Sequence, residues 1–184
     1  MLSYIVSLIG LLLLSCIVQQ FLPPIAPWYG ARVLVLPLVV LCGSATVSTA
    51  GMLVLAFLGG FLWDSQHIIQ HPTLNPAVFA PPSDSLKFGY SIILYAFMGF
   101  LMQGIRPMFQ EGKWYLSAGL TGVAIFLYLF AEHLLRSFVR GSLGFDNGII
   151  NQIGMTSLFT MLASPVVFWM LYRIADLCGQ EISD

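Results

Sequence analysis

Two long stretches without a charged residue constrain this chain more than any other feature of its sequence. No charge precedes Arg32, and none lies between Arg32 and Asp64. Only 8% of the residues are charged and 58% are hydrophobic, whereas soluble domains carry about 25% charged residues. A soluble chain of 184 residues could not cover its surface with so few charges. The composition therefore predicts a single integral membrane domain over residues 1–184.

The net charge argues against a nucleic-acid-binding protein, and the cysteine spacing argues against a disulfide or cysteine metal framework. The formal net charge is −1, so the chain has no basic field to attract nucleic acid. Its three cysteines, Cys16, Cys42 and Cys178, are far apart and form no CxxC pair. We therefore expect neither a disulfide framework nor a cysteine metal site, and no cofactor.

Prolines and charges divide the sequence into apolar segments. A bilayer core of about 30 Å needs about 20 apolar residues of helix. The first segment lacks the positive region and the cleavage site of a signal peptide, so we expect it to be a retained helix. The Lys and Arg balance between loops does not determine the orientation of the termini. The prediction is an all-α transmembrane six-helix bundle with short second and third helices, at about 1–22, 31–44, 49–64, 87–105, 114–138 and 148–174.

The uncharged stretch from Arg32 to Asp64 is too long for one ordinary span and short for two. Its middle, CGSATVSTAG, is small and polar. Short apolar segments indicate helices that do not cross the membrane on their own. Irregular backbone at membrane depth must be covered by protein. We therefore expect two short helices packed inside the bundle, and the alternative is one long tilted helix.

The segment AFLGGFLWDS, residues 56–65, contains the candidate packing or partner motif. Asp64 is either an interfacial acid that stops a helix or a buried carboxylate that locks a joint. Gly59 and Gly60 would let another backbone approach closely, and Ala56 with Gly60 has the spacing of tight helix contacts in lipid. We predict that Asp64 hydrogen-bonds a neighbouring helix end or loop. The motif comprises Phe57, Gly59, Gly60, Phe61, Trp63 and Asp64.

Two other groups of polar residues could form a functional site or could simply be solvated at the membrane surface. Asp64, His67 and His71 would share a face if the helix continued, which is a possible metal arrangement, but Pro72 and the polar loop favour solvated histidines. Glu132, His133 and Arg136 are a candidate polar contact cluster. The uncharged run before Glu132 favours side chains that snorkel from a helix end.

Pro165 lies in the middle of the last apolar segment, and we expect it to kink that helix. Neighbouring groups must then satisfy the carbonyl that the proline leaves free. Enzyme motifs such as GxSxG, HExxH and the P-loop are absent from the sequence, so no catalytic residue is predicted.

Two stretches resemble the MreD family of bacterial rod-shape-determining membrane proteins. The family motif F-x-x-G-[LF]-x-x-D, which closes the third helix, corresponds to Phe57, Gly60, Phe61 and Asp64. The last helix of the family has an A-P or similar step before an aromatic apolar stretch and a basic residue. The corresponding residues here are Ala163, Ser164, Pro165, Phe168, Trp169 and Arg173.

The resemblance implies a non-enzymatic scaffold of the cell-elongation machinery in the bacterial inner membrane. Its implied partners are a membrane-anchored MreC-like protein, and through it MreB filaments and the glycan polymerase and transpeptidase complex. The implied fold is similar to that of the S components of ECF-type vitamin transporters. A substrate-binding S component is therefore the alternative function, and it would require a polar pocket under the loops at one end of the bundle.

Overall fold

The computed structural model describes residues 2–69, 89–104, 114–140 and 147–179. Apart from an isolated antiparallel bridge between Ile25 and Ala31, this part of the chain forms no β-structure. The predicted all-α class is confirmed. The described residues form six α-helices, which are α1 (Leu2–Phe21), α2 (Val35–Thr46), α3 (Thr49–Ile69), α4 (Tyr90–Gly104), α5 (Trp114–Arg140) and α6 (Asn147–Leu177), with a short 3₁₀ helix at Ala26–Trp28.

Among the residues that the structure describes, three helices are long and apolar enough to cross a membrane. They lie at Ser3–Phe21, Ser117–Val139 and Gly148–Leu177, within α1, α5 and α6, and α2 and α4 are shorter apolar helices. Many large apolar side chains on the outer faces are exposed, including Val6, Leu14 and Ile17 on α1. These features are those of a helical membrane protein.

The third helix differs from its predicted length. It has 21 residues and ends at Ile69, five residues beyond the predicted end at Asp64. The residues after Asp64, SQHII, contain no helix breaker, and the carboxylate of Asp64 accepts a hydrogen bond from Gly89, the residue before α4 begins. Asp64 therefore does not stop the helix. The alternative of one long tilted helix is wrong, because Val47 has extended dihedral angles and separates α2 from α3.

Helix α2 lies at the centre of the bundle. It has 12 residues, all ten from 36 to 45 are buried, and it contacts each of the five other α-helices. A helix of this length is about 18 Å long, too short to cross a membrane. A helix that is apolar on all sides is either a membrane span or buried in protein, and α2 is too short to be a span. The prediction that this region packs inside the bundle is confirmed for α2 but not for α3, on which Leu53, Val54, Phe57 and Phe61 are exposed.

Side chains from α1 and α6 satisfy the backbone that leads into α2. The N–H of Val35 donates to Oε1 of Gln19 (2.6 Å), and the N–H of Leu34 donates to Oγ1 of Thr160 (3.1 Å). Buried backbone donors cost free energy unless they are paired. The first and last helices of the chain thus supply the polar partners that its central helix needs.

Candidate functional site

Asp64 ties the end of α3 to the beginning of α4. Its Oδ2 accepts a hydrogen bond from the backbone N–H of Gly89 (2.7 Å), the residue that directly precedes Tyr90 of α4. The first N–H groups of a helix have no partner within the helix, and the helix dipole favours a negative charge there. This contact is of the kind predicted for Asp64 from the sequence.

The glycine pair before Asp64 allows α3 to approach two neighbours closely. A Cβ atom on Gly60 would lie 2.5 Å from the Cα of Ile92, so the backbones of α3 and α4 are in contact there. A Cβ atom on Gly59 would lie 2.5 Å from Cγ2 of Val40 in α2. Ala56 is also buried. The small residues of the motif therefore serve contacts within the chain.

The two phenylalanines of the motif lie on the outside of α3. Phe57 is 55% exposed and Phe61 is 45% exposed, and their rings stack with centroids 6.5 Å apart and an interplanar angle of 22°. Trp63, in contrast, is buried. The motif is thus divided between an inner face that fixes the helix and an outer aromatic face.

Glu132 and Arg136 form an ion pair one turn apart on α5, with Nη2 of Arg136 donating to Oε1 of Glu132. Ser137 Oγ lies 3.4 Å from Nε2 of His133. Glu132 is only 7% exposed, so the prediction that this cluster snorkels at a helix end is wrong for Glu132. Residues of α1, α3 and α6 line the same cleft as Glu132, so this carboxylate lies among neighbouring helices.

A partly open polar cleft lies beside this ion pair. Its volume is about 260 Å³. The ends of α1, α3 and α5 meet the beginnings of α2 and α6 there, and we call this the cleft end of the bundle. The residues that line the cleft are Gln19, Gln20, Gly30, Arg32, Leu34, Trp63, Gln66, Leu129, Glu132, His133, Arg136, Ile149, Gln152, Ile153 and Thr156.

The sequence interpretation missed most of the polar residues that line this cleft. It included Trp63 and the cluster on α5 but not Gln19, Gln66 or Thr156. Gln66 is buried, and its Nε2 donates to the carbonyl oxygen of Cys16 (3.0 Å). The available signal was an amide side chain within or beside an apolar helical segment, since such groups need polar partners in lipid.

Pro165 lies inside α6, which is continuous from Asn147 to Leu177. A proline at this position cannot bond the carbonyl of Met161, four residues earlier. The hydroxyl of Ser164 donates to that carbonyl (2.8 Å) and replaces the lost bond, as expected for a proline in a membrane helix. The bend at Pro165 stays a prediction.

The metal arrangement considered for the histidines gains no support from the described residues. Helix α3 includes His67, but His71 lies outside the described residues. Within 2–69, 89–104, 114–140 and 147–179, no group of three or more His, Cys, Asp or Glu side chains could hold a metal ion.

The fold and the site together define a helical membrane bundle with a locked α3–α4 joint and a polar cleft at one end. Comparisons with protein-family models, curated proteins and solved structures find no match to this chain. The resemblance to the MreD family therefore depends on the two sequence motifs alone.

Proposed function

We propose that this chain is a non-enzymatic scaffold in the inner membrane of a bacterium, where it belongs to the cell-elongation machinery that builds the lateral wall. Its direct partner is a membrane-anchored MreC-like protein. Through that partner it couples MreB filaments to the glycan polymerase and transpeptidase complex. The family resemblance supplies the identity of these partners.

The observation that carries the proposal is the division of the F-x-x-G-[LF]-x-x-D motif into two faces. Gly60 and Asp64 hold α3 against α4, while Phe57 and Phe61 project outward as a stacked pair. Helix association in lipid depends on close packing rather than on hydrophobicity. A rigid pair of rings on a fixed helix offers such a surface at little entropic cost.

The experiment compares two stacked phenylalanine pairs. Phe126 and Phe130 on α5 also stack, with centroids 6.3 Å apart and an interplanar angle of 7°, and Phe126 is exposed. The double variants Phe57→Ala/Phe61→Ala and Phe126→Ala/Phe130→Ala therefore remove the same side chains from different helices. Each variant is co-expressed with the MreC-like protein and purified by a tag on that partner.

We expect the α3 variant to lose most of the co-purified chain and the α5 variant to retain it. Aromatic anchors at interfaces are worth about 2 kcal/mol or more each, which corresponds to a loss of affinity of at least about thirtyfold. Thermal unfolding of both variants in detergent serves as the folding control. Equal recovery of the two folded variants with the partner would contradict the proposal.

The cleft favours a second candidate, a substrate-binding S component of an ECF-type vitamin transporter. Such a protein needs convergent polar groups in a pocket at one end of its bundle, and the cleft has amide, carboxylate and guanidinium groups at its wall. Co-purification with ATPase subunits instead of an MreC-like protein would support this function.

A further inference from the structure

The side chains that line the cleft carry more positive than negative charge. Among the residues that line it, Arg32 and Arg136 are cationic and Glu132 is the one carboxylate. Glu132 is already paired with Arg136. The positive charge of Arg32 is therefore not matched by a carboxylate of the cleft wall, and an anion placed in the cleft would meet a net positive charge.

The guanidinium of Arg136 also has donor capacity that the ion pair does not use. It donates through Nη2 to Glu132, and its buried Nε has no hydrogen-bond partner in the described part of the chain. A guanidinium has five N–H donors in a planar fork that suits carboxylate or phosphate. Glu132 anchors this side chain, which is 38% exposed, through Nη2.

The other side of the cleft is held in place by backbone contacts. The N–H of Arg32 donates to Oγ1 of Thr156 on α6 (3.4 Å), so the segment that carries the Arg32 side chain is attached to the bundle. The Arg32 side chain itself is exposed. Gln20 and Gln152 line the cleft and are exposed as well, so their amide donors are accessible.

Aromatic side chains next to the cleft indicate its depth in the membrane. Phe21 follows Gln20, and Trp28 and Tyr29 precede Gly30; all three aromatic residues are exposed. Trp and Tyr are enriched at the level of the lipid headgroups. The cleft opens at the end of the bundle that carries these residues, which is the depth at which lipid phosphates lie.

We propose that this cleft binds the phosphate group of a membrane-lipid headgroup, held between Arg32 and the Arg136–Glu132 pair. The amides of Gln20 and Gln152 donate to the ester oxygens or the adjoining headgroup. A volume of about 260 Å³ is slightly below that of drug-sized pockets, about 300 Å³ and more, and suits a headgroup rather than a whole lipid. The site is independent of the scaffold function.

The test measures thermal unfolding of the full chain purified in a phosphate-free, uncharged detergent. The probes are dioctanoyl phosphatidylglycerol, dioctanoylglycerol, which lacks the phosphate, and inorganic phosphate. A ligand that binds only the folded state raises the unfolding temperature with concentration. We expect only the phospholipid to do so at micromolar to low millimolar concentration.

The matched variants are Arg32→Gln and Arg173→Gln. Arg173 is also exposed, contacts the ring of Trp169, and lies roughly 30 Å along α6 from Gln152. We expect Arg32→Gln to need about tenfold more phospholipid for the same stabilisation, since a charge-assisted hydrogen bond is lost. Arg173→Gln should behave as the unaltered chain.

Three outcomes would overturn the proposal. Stabilisation by dioctanoylglycerol equal to that by the phospholipid would show that the acyl chains alone bind. Equal stabilisation by inorganic phosphate would assign the cleft to a soluble phosphate compound. An unchanged lipid requirement in Arg32→Gln, relative to Arg173→Gln, would remove the cleft from the binding site.

Discussion

Removing the hydrogen bond from the Leu34 N–H to Thr160 measures how much this contact stabilises the segment that leads into α2. In Thr160→Val the side chain keeps its shape and loses its hydroxyl, so the Leu34 N–H loses its acceptor (3.1 Å). Thr160 is fully buried and Leu34 is nearly so, which restricts the access of water that could replace the bond. A buried donor without a partner costs about 1–3 kcal/mol.

The expected result is a lower unfolding temperature. For a chain of 150–250 residues, a loss of 1 kcal/mol lowers the unfolding temperature by about 2–4 °C. A loss of about 2 kcal/mol therefore corresponds to a decrease of about 4–8 °C. The assay is thermal unfolding of the purified chain in detergent, followed by circular dichroism at the helical wavelengths.

Thr121→Val is the control for this experiment, and it also removes a side-chain contact with the Cys42 thiol of α2. Thr121 is also fully buried, and its hydroxyl donates to the carbonyl of Ser117 one turn earlier (2.8 Å), as that of Thr160 does to Thr156 (2.7 Å). Within the described residues, Thr121 accepts no backbone N–H from another segment. If both variants lowered the unfolding temperature equally, the bond to Leu34 would not be the cause.

Two further predictions concern the joint between α3 and α4. Asp64→Ala removes the acceptor for the Gly89 N–H and should lower the free energy of unfolding by about 1–2 kcal/mol. Asp64→Asn keeps an acceptor and should lower it less. Equal losses of stability in thermal unfolding would contradict a hydrogen-bonding role for Asp64. Gly60→Ala places a Cβ 2.5 Å from the Cα of Ile92 and should destabilise the chain. The Cβ of Gly119→Ala meets no atom within 4 Å. This variant should therefore stabilise the chain by up to about 1 kcal/mol through helix propensity. The same sign of change in both alanine variants would refute the close approach.

The sequence was sufficient to predict the helical membrane class and the order of the six helices. Uncharged apolar runs and prolines mark the spans because lipid excludes charge and unpaired backbone. The burial of α2 was also predictable, since its apolar segment is too short to be a span and small polar residues follow it. These inferences depend on local composition, which a single sequence contains.

The end of α3 and the cleft could not be predicted in the same way. The partner of Asp64 is the Gly89 N–H, 25 residues later in the chain, and no local pattern around Asp64 indicates it. The burial of Glu132 depends equally on its neighbours in space. The cleft is assembled from five separate segments, and no spacing within any one of them indicates the others.

The contact between Leu34 and Thr160 also has a consequence for biogenesis. The two residues are 126 positions apart, so a ribosome completes α2 long before it delivers the acceptor that its leading segment needs. The segment that leads into α2 therefore lacks this hydrogen bond until α6, which carries Thr160, has been synthesised.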